Sequence, residues 1–415
     1  MQVQKHYLRI LFLIFLFLLA SPGVNAQNNY QEFLEDNDID KKSEKALYLW
    51  NEYLRGDLDS LKILSVEMLL SAADAKSAFG RAVGYKCLGS YQIRTGEIES
   101  GLSHMLDSRT YFEQKEDAQM LSEINNDIGN AYYLAGKYSE AIKAYLASLE
   151  YGKSSPDKTD KFNAKSGLGK AYCAIGDTSV GMYTMSEYKN ESIKIAKYES
   201  AADAYAYLGQ IEMERGYISL AKEFYRKSIL FSKKSDSKIH LSHALNNQAI
   251  LKFNLNELDS SLFYFEESLR LREQLNNAKG IIESYYNLGF FYGATGDFHN
   301  AYLNYSRSVD LARENKFVGD ELDALNELIA ICSELGYTEE QENYEQIAQQ
   351  LTDRIERKND TDKEIVAYAE KIIDEVEIVD KVADHAKTSS YFIWILIGGT
   401  FFLVIIAFTR KKKKR

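Results

Sequence analysis

The stretch Asn125–Glu150 reads NNDIGNAYYLAGKYSEAIKAYLASLE, a pattern of two short helices broken at Gly136. Near-copies of it recur along most of the chain. Stepping from Gly136 by forty residues in each direction meets Gly56, Gly96, Gly176, Gly216, Gly296 and Gly336, with Asn256 as the one replacement. Glycine and asparagine most easily take the left-handed backbone conformation that ends a helix. The series therefore predicts one turn repeated eight times.

Two further series keep the same step. Seven residues before each turn stand Gly89, Gly129, Gly169, Gly209, Ala249 and Gly289, and five after it stand Gly101, Ala141, Gly181, Ala221, Ser261 and Ala301. Four residues beyond these come Met105, Tyr145, Met185, Tyr225, Phe265 and Tyr305. Small residues let two helices of a pair approach closely, and large ones fill the holes opposite.

From Leu288 to Tyr292 the chain reads Leu-Gly-Phe-Phe-Tyr, followed by Gly296, Ala301 and Tyr305. This order resembles the tetratricopeptide repeat, with its Leu-Gly, Tyr, Ala and aromatic residues at fixed offsets. The resemblance covers roughly residues 42–358. It departs from the common form in its period of forty against about 34, and in lacking the inter-repeat proline except at Pro156. Six extra residues add about 9 Å of helix at 1.5 Å each. In this the chain is similar to the long-helix variants of kinesin light chains and of bacterial peptide-sensing regulators.

Composition supports an all-helical reading: of 415 residues two are proline, and no alternating strand pattern is sustained. The formal net charge is −11, and with the basic residues of both ends set aside the part between carries −19. Such a body repels phosphate backbones, which argues against nucleic acid as a partner. Cys87, Cys173 and Cys332 lie in first helices of non-adjacent repeats. They read as small buried apolar residues without disulfide partners.

The ends of the chain read differently. Residues 1–26 have a basic start, an apolar run from Ile10 to Ala20 and Val24-Asn25-Ala26, the pattern of a cleaved secretory leader. Residues 27–41 are rich in Asn and Asp and read as a polar arm. The solenoid spans 42–358, with degenerate first and last repeats, as an array needs at its ends. A linker and helix over 359–388 carry apolar residues from Ile365 to Ala386 at heptad spacing. This seam is either a short homodimeric coiled coil over 365–386 or an amphipathic stalk packed on the last repeat. Residues 391–409 contain seventeen without charge, Phe392 to Phe408, and precede the basic tail 410–415. That pattern predicts a single transmembrane helix with the tail in the cytoplasm.

A search for chemistry finds little. Gly152-Lys153-Ser154 lacks the earlier glycine and preceding strand of a phosphate loop, and Gly167-Leu168-Gly169 falls inside a repeat helix. His240 and His243, one turn apart, have no third metal ligand at recognisable spacing. No nucleophile or acid-base pair is marked out, so neither catalytic residues, metal nor cofactor are expected. The family resemblance implies that the first helix of each pair lines a ligand groove. It carries that role to Lys86, Ser90, Asn126, Asn130, Ser166, Lys170, Gln210, Asn246 and Asn326, with Asn247 and Asn287 beside them. Asparagine offers both donor and acceptor, so such a row either holds a peptide backbone or is simply solvated. Tyr133, Phe253, Tyr286 and Phe290 are candidate apolar anchors.

The expectation is an all-α fold: a solenoid of about eight helix-turn-helix repeats, then a stalk helix and one transmembrane helix. The function expected is a non-catalytic scaffold on the periplasmic side of a bacterial inner membrane, binding a protein or extended peptide in its groove. The alternative is the sensory half of a split signalling system, a sensor kinase or membrane-bound regulator whose output domain is absent after Arg415.

Overall fold

A computed structural model describes residues 24–53, 58–155 and 159–357. They form an all-α helical-repeat solenoid of sixteen helices and a last helical run over 338–357. Two compact units divide at Glu116. The first holds α1 (Val24–Glu35), α2 (Ile39–Tyr53), α3 (Leu58–Ala75), α4 (Ala78–Thr95) and α5 (Ile98–Gln114). The second begins with α6 (Ala118–Leu134), α7 (Tyr138–Tyr151), α8 (Thr159–Ala174), α9 (Thr178–Lys194), α10 (Tyr198–Glu214) and α11 (Ile218–Lys234). It continues with α12 (Lys238–Asn254), α13 (Leu258–Gln274), α14 (Ala278–Ala294), α15 (Phe298–Glu314), α16 (Val318–Leu335) and α17 (338–357). Even-numbered helices from α4 to α16 are the first helices of their pairs.

The period of forty has a simple origin. From α10 to α15 every helix is 17 residues long and every turn is three. Each described turn inside a repeat places its glycine at positive φ, between 70° and 95°, with Asn256 at 56°. The turns between repeats do the same without glycine: Lys76, Glu116, Ala196, Asp236, Asn276 and Lys316 lie at φ between 49° and 61°. Both kinds of turn close with a backbone bond five residues back, as in Asp297 N–H to Tyr292 O and Phe317 N–H to Ala312 O, each 2.9 Å. Side chains then start the next helix: Asp297 accepts from the Asn300 N–H and Asn277 from the Gly280 N–H, both at 3.1 Å.

A Cβ at Gly96, Gly136 or Gly296 would meet nothing within 4 Å. Conformation alone therefore requires glycine there. Gly136→Ala is expected to destabilise by about 1 kcal/mol, while Ala196→Gly, relieving the same backbone cost, stabilises by up to about 1 kcal/mol. Urea midpoints of the two variants should move in opposite directions.

The small and large series meet as the spacing predicts. A Cβ on Gly129 would stand 2.6 Å from the Tyr145 ring, and one on Gly289 2.8 Å from that of Tyr305. Where the small residue is Ser261, its hydroxyl donates to the Ala249 carbonyl at 2.9 Å. A further series keeps the other end of each pair close. Ser108, Ser148, Ser268 and Ser308, all fully buried, donate to the carbonyls of Ala82, Ser122, Ser242 and Ile282 at 2.7, 2.8, 2.8 and 3.1 Å. In the repeat of α8 and α9 the equivalent positions are Phe162 and Tyr188, whose rings lie 4.9 Å apart. Gly129→Ala is expected to cost about 1–3 kcal/mol by overpacking, read as a lowered melting temperature.

Three expectations are revised. Residues 27–35, read as part of a polar arm, continue α1, which buries Tyr30 and Phe33 with their rings 5.7 Å apart. The transmembrane helix of the expected fold is corrected: among the described residues no helix is long and apolar enough to cross a membrane. The longest, α17 at 20 residues and α3, α4 and α16 at 18, each carry charged side chains, such as Glu345, Lys62, Arg81 and Asp320, because each has a solvent side as well as a packed one. The inner-membrane location that rested on that helix is withdrawn with it. The leader up to residue 23, the seam 365–386 and the apolar stretch 391–409 lie outside the described residues.

Candidate functional site

Helix α14 shows how the candidate site is built. Leu288, Gly289 and Phe291 are buried between helices. Glu283, Tyr286 and Asn287 are half-buried and Phe290 is exposed. These four are spaced three, one and three apart, which at 3.6 residues per turn is one face. The same positions recur every forty residues, from Glu123, Asn126, Asp127 and Asn130 on α6 to Asp323, Asn326, Glu327 and Ala330 on α16. Together they form an open face on the first helices of the second unit.

Neighbouring first helices are joined on this face by side chains 41 residues apart. Asn287 Nδ2 donates to Asn246 Oδ1 at 2.9 Å, so α12 and α14 share an amide pair. Tyr286 donates its hydroxyl to Glu327 Oε1 at 3.3 Å, joining α14 to α16. The exposed Phe290 ring lies 5.6 Å from that of Phe253, with exposed Ile250 on the same helix as Phe253. An amide pair beside an apolar patch can hold a main chain and one side chain at once.

The remaining expected residues have varied fates. Asn130 is exposed and accepts the Tyr145 hydroxyl at 2.7 Å. Burial, then the nearby Tyr133 and Asp127, pushes the Tyr145 phenol well above its ordinary range, so it stays a neutral donor. Gln210 is exposed and donates to Glu214 Oε1 at 2.9 Å. The Lys170 ammonium lies 5.7 Å from the Tyr207 ring. Ser166 and Asn247 are half-buried and Asn326 is exposed. Asn126 is buried. Lys86 and Ser90 are buried inside the first unit, Lys86 with its ammonium 3.4 Å from the centroid of Trp50, so neither is on the open face.

His240 and His243 have protein partners. His240 Nδ1 is 2.8 Å from Ser237 Oγ, and His243 Nδ1 is 3.3 Å from the buried Arg272 guanidinium. Among the described residues no three His, Cys, Asp or Glu side chains are grouped to hold a metal. The three cysteines are free thiols. Sequence reading missed Gly167, which it met only as part of a failed phosphate motif. A Cβ there would stand 2.4 Å from Tyr145 Cζ, so glycine lets the phenol pass over α8 to reach Asn130.

Residues 282–315 match the family model described as a tetratricopeptide repeat. The repeat of α14 and α15 is tetratricopeptide-like. The match falls on α14 and α15, whose Leu288, Gly289, Ala301 and Tyr305 form the close contact described above. The Tonsoku-like protein of Drosophila melanogaster is 21% identical over 183 residues, covering 40% of this chain and 13% of that protein's own length. Among solved structures, aspartyl phosphate phosphatase F of Bacillus subtilis superposes with a TM-score of 0.50 at 10% identity, covering 80% of this chain and 96% of that one. The apo quorum sensor NprR of B. thuringiensis gives 0.48 at 15% identity, covering 85% and 95%. At 10% identity what the phosphatase shares with this chain is the repeat fold.

Tyr145 and Asn130 make one hydrogen bond, so Tyr145→Phe and Asn130→Ala should each cost about 1 kcal/mol. The double variant should cost little more than either alone. Additive losses in chemical denaturation would mean that the two groups act separately.

Proposed function

We propose that this chain is a non-catalytic scaffold that holds an extended segment of a partner protein, or a peptide, on the open face of its first helices. The observation that carries the reading is the Asn287–Asn246 amide pair on that face. Each amide spends one group on the other and keeps a donor or an acceptor for a ligand. Packed helices lie about 8–10 Å apart, close to three residues of extended chain at about 3.3 Å each. A main chain crossing the face can therefore meet a new first helix every third residue. Phe253, Phe290 and Ile250 supply an apolar anchor beside the pair. Affinity then comes from main-chain hydrogen bonds, and side-chain choice from what lies between them.

The test is photo-crosslinking in cells, with a benzoylphenylalanine at Phe290 and, as control, at the exposed Tyr183 on α9. Capture of a defined partner segment from position 290, absent from 183 and lost on Asn287→Ala, is the expected outcome. Equal capture from both positions, or capture indifferent to Asn287→Ala, would remove the open face as the binding surface.

A further inference from the structure

The chain holds 61 acidic side chains against 50 basic ones, yet one stretch reverses the balance. Over α11 and the turn after it, residues 218–238, Lys222, Arg226, Lys227, Lys233, Lys234 and Lys238 stand against Glu223 and Asp236. Lys227 takes up Glu223 at 2.6 Å, and Lys222 reaches Glu257 at 3.5 Å. Among the described residues Lys233, Lys234 and Lys238 make no ion pair, and neither does Lys194, which holds the place of Lys234 one repeat earlier. The next turn along, between α13 and α14, pairs its cations: Arg270 with Glu267 at 2.7 Å, Arg272 with Glu283 at 3.4 Å and Lys279 with Asp320 at 4.0 Å.

The turns after α9 and after α11 are built as one edge. Tyr198 at the head of α10 lies 6.0 Å from Phe231 of α11, ring to ring, and the Lys234 ammonium stands 4.3 Å from the Tyr198 centroid. A ring face attracts an ammonium without neutralising it, so Lys234 is oriented and keeps its charge. Lys194, Lys233, Lys234 and Lys238 are all exposed. Ile195, Leu230 and Ile239 stand among them, each about half exposed. Clustered like charges repel one another, and a partner that brings carboxylates relieves the repulsion. A phosphate backbone would leave the three aliphatic side chains in water, whereas a protein segment can cover charge and apolar surface together.

We propose that the edge formed by the α9–α10 and α11–α12 turns docks an acidic segment of a partner protein. Its carboxylates meet Lys194, Lys233, Lys234 and Lys238, and an apolar side chain rests among Ile195, Leu230 and Ile239. None of these residues belongs to the four recurring positions of the open face, so this surface is independent of the one described above.

The experiment selects displayed random peptides on the purified full chain, with the K233E/K234E variant as counter-selection, and measures their affinities by fluorescence anisotropy. Selected peptides should be rich in Asp and Glu and carry a Leu, Ile or Phe. K233E/K234E should weaken their binding about tenfold or more, the scale of two reversed rim charges, with helicity checked by circular dichroism. Lys238→Gln and Leu230→Ser should each weaken it severalfold, raised salt should weaken it too, and Asn287→Ala should leave it unchanged. Selected peptides without acidic bias, or acidic peptides that bind K233E/K234E as well as the natural chain, would overturn the inference. So would lysine-dependent binding of mixed phosphatidylcholine and phosphatidylserine vesicles by a chain that selects no acidic peptide, since the edge would then be a lipid surface. Loss of open-face capture alone would leave this docking edge standing.

Discussion

The fold depends on one contact made again and again: the backbone of a first helix lying against a large side chain of the second. Tyr145 on Gly129, Tyr225 on Gly209 and Tyr305 on Gly289 all leave too little room for a Cβ without some displacement. Burying such a ring is worth about 1.5–3 kcal/mol relative to exposure, and the site closes only if the opposing residue is small. The buried serines set the distance at the other end of each pair, by giving a hydroxyl to a helix carbonyl that is already bonded within its helix. With both ends fixed, the two helices act as a unit, and units can join only along their remaining sides. The open face is what this leaves over.

That origin explains why only four positions of each first helix are left to the open face. A residue on the packed side answers to its partner helix, so Leu288 and Phe291 are not available to a ligand. Tyr286 lays its ring against Tyr305 of its own pair, 5.4 Å between centroids, but its hydroxyl and the Asn287 amide meet neighbouring first helices through polar atoms with capacity to spare. The face can therefore vary in sequence from repeat to repeat without loss of packing. Asn, Tyr, Gly and Glu all occur at its equivalent positions.

Much of the fold was legible in the sequence because the features that fix it are strict in residue type. Positive φ inside each repeat selects glycine or asparagine, and close approach selects small against large, so both series stood out at a step of forty. The turns between repeats were not legible. They adopt the same left-handed conformation with Lys, Glu, Ala, Asp and Asn, since the surrounding helices impose what the residue does not favour. The packed α1 was missed because Tyr30 and Phe33 sit among asparagines and acids. At the other end, hydropathy was the sole warrant for a membrane span. The site was legible as positions, not as partners: Asn246 and Asn287 were both named, their mutual bond was not. Lys86 failed because a repeat register cannot show that Trp50 waits beneath its ammonium.

Gly167 shows how one repeat comes to differ from its neighbours. A glycine substitution on the open face would ordinarily weaken a helix and remove a joint between neighbours. Here Tyr145 compensates by extending across the vacated place to Asn130, so the packing cost is met from the preceding second helix. The joint itself is not restored, because the phenol donates to the wrong asparagine. Ala206, which stands forty-one residues before Asn247 and has no polar group to give, leaves a second joint unmade. A solenoid built of equivalent units binds with polarity and register only if some unit differs. Gly167 on α8 and Ala206 on α10 supply such a difference without a break in either helix.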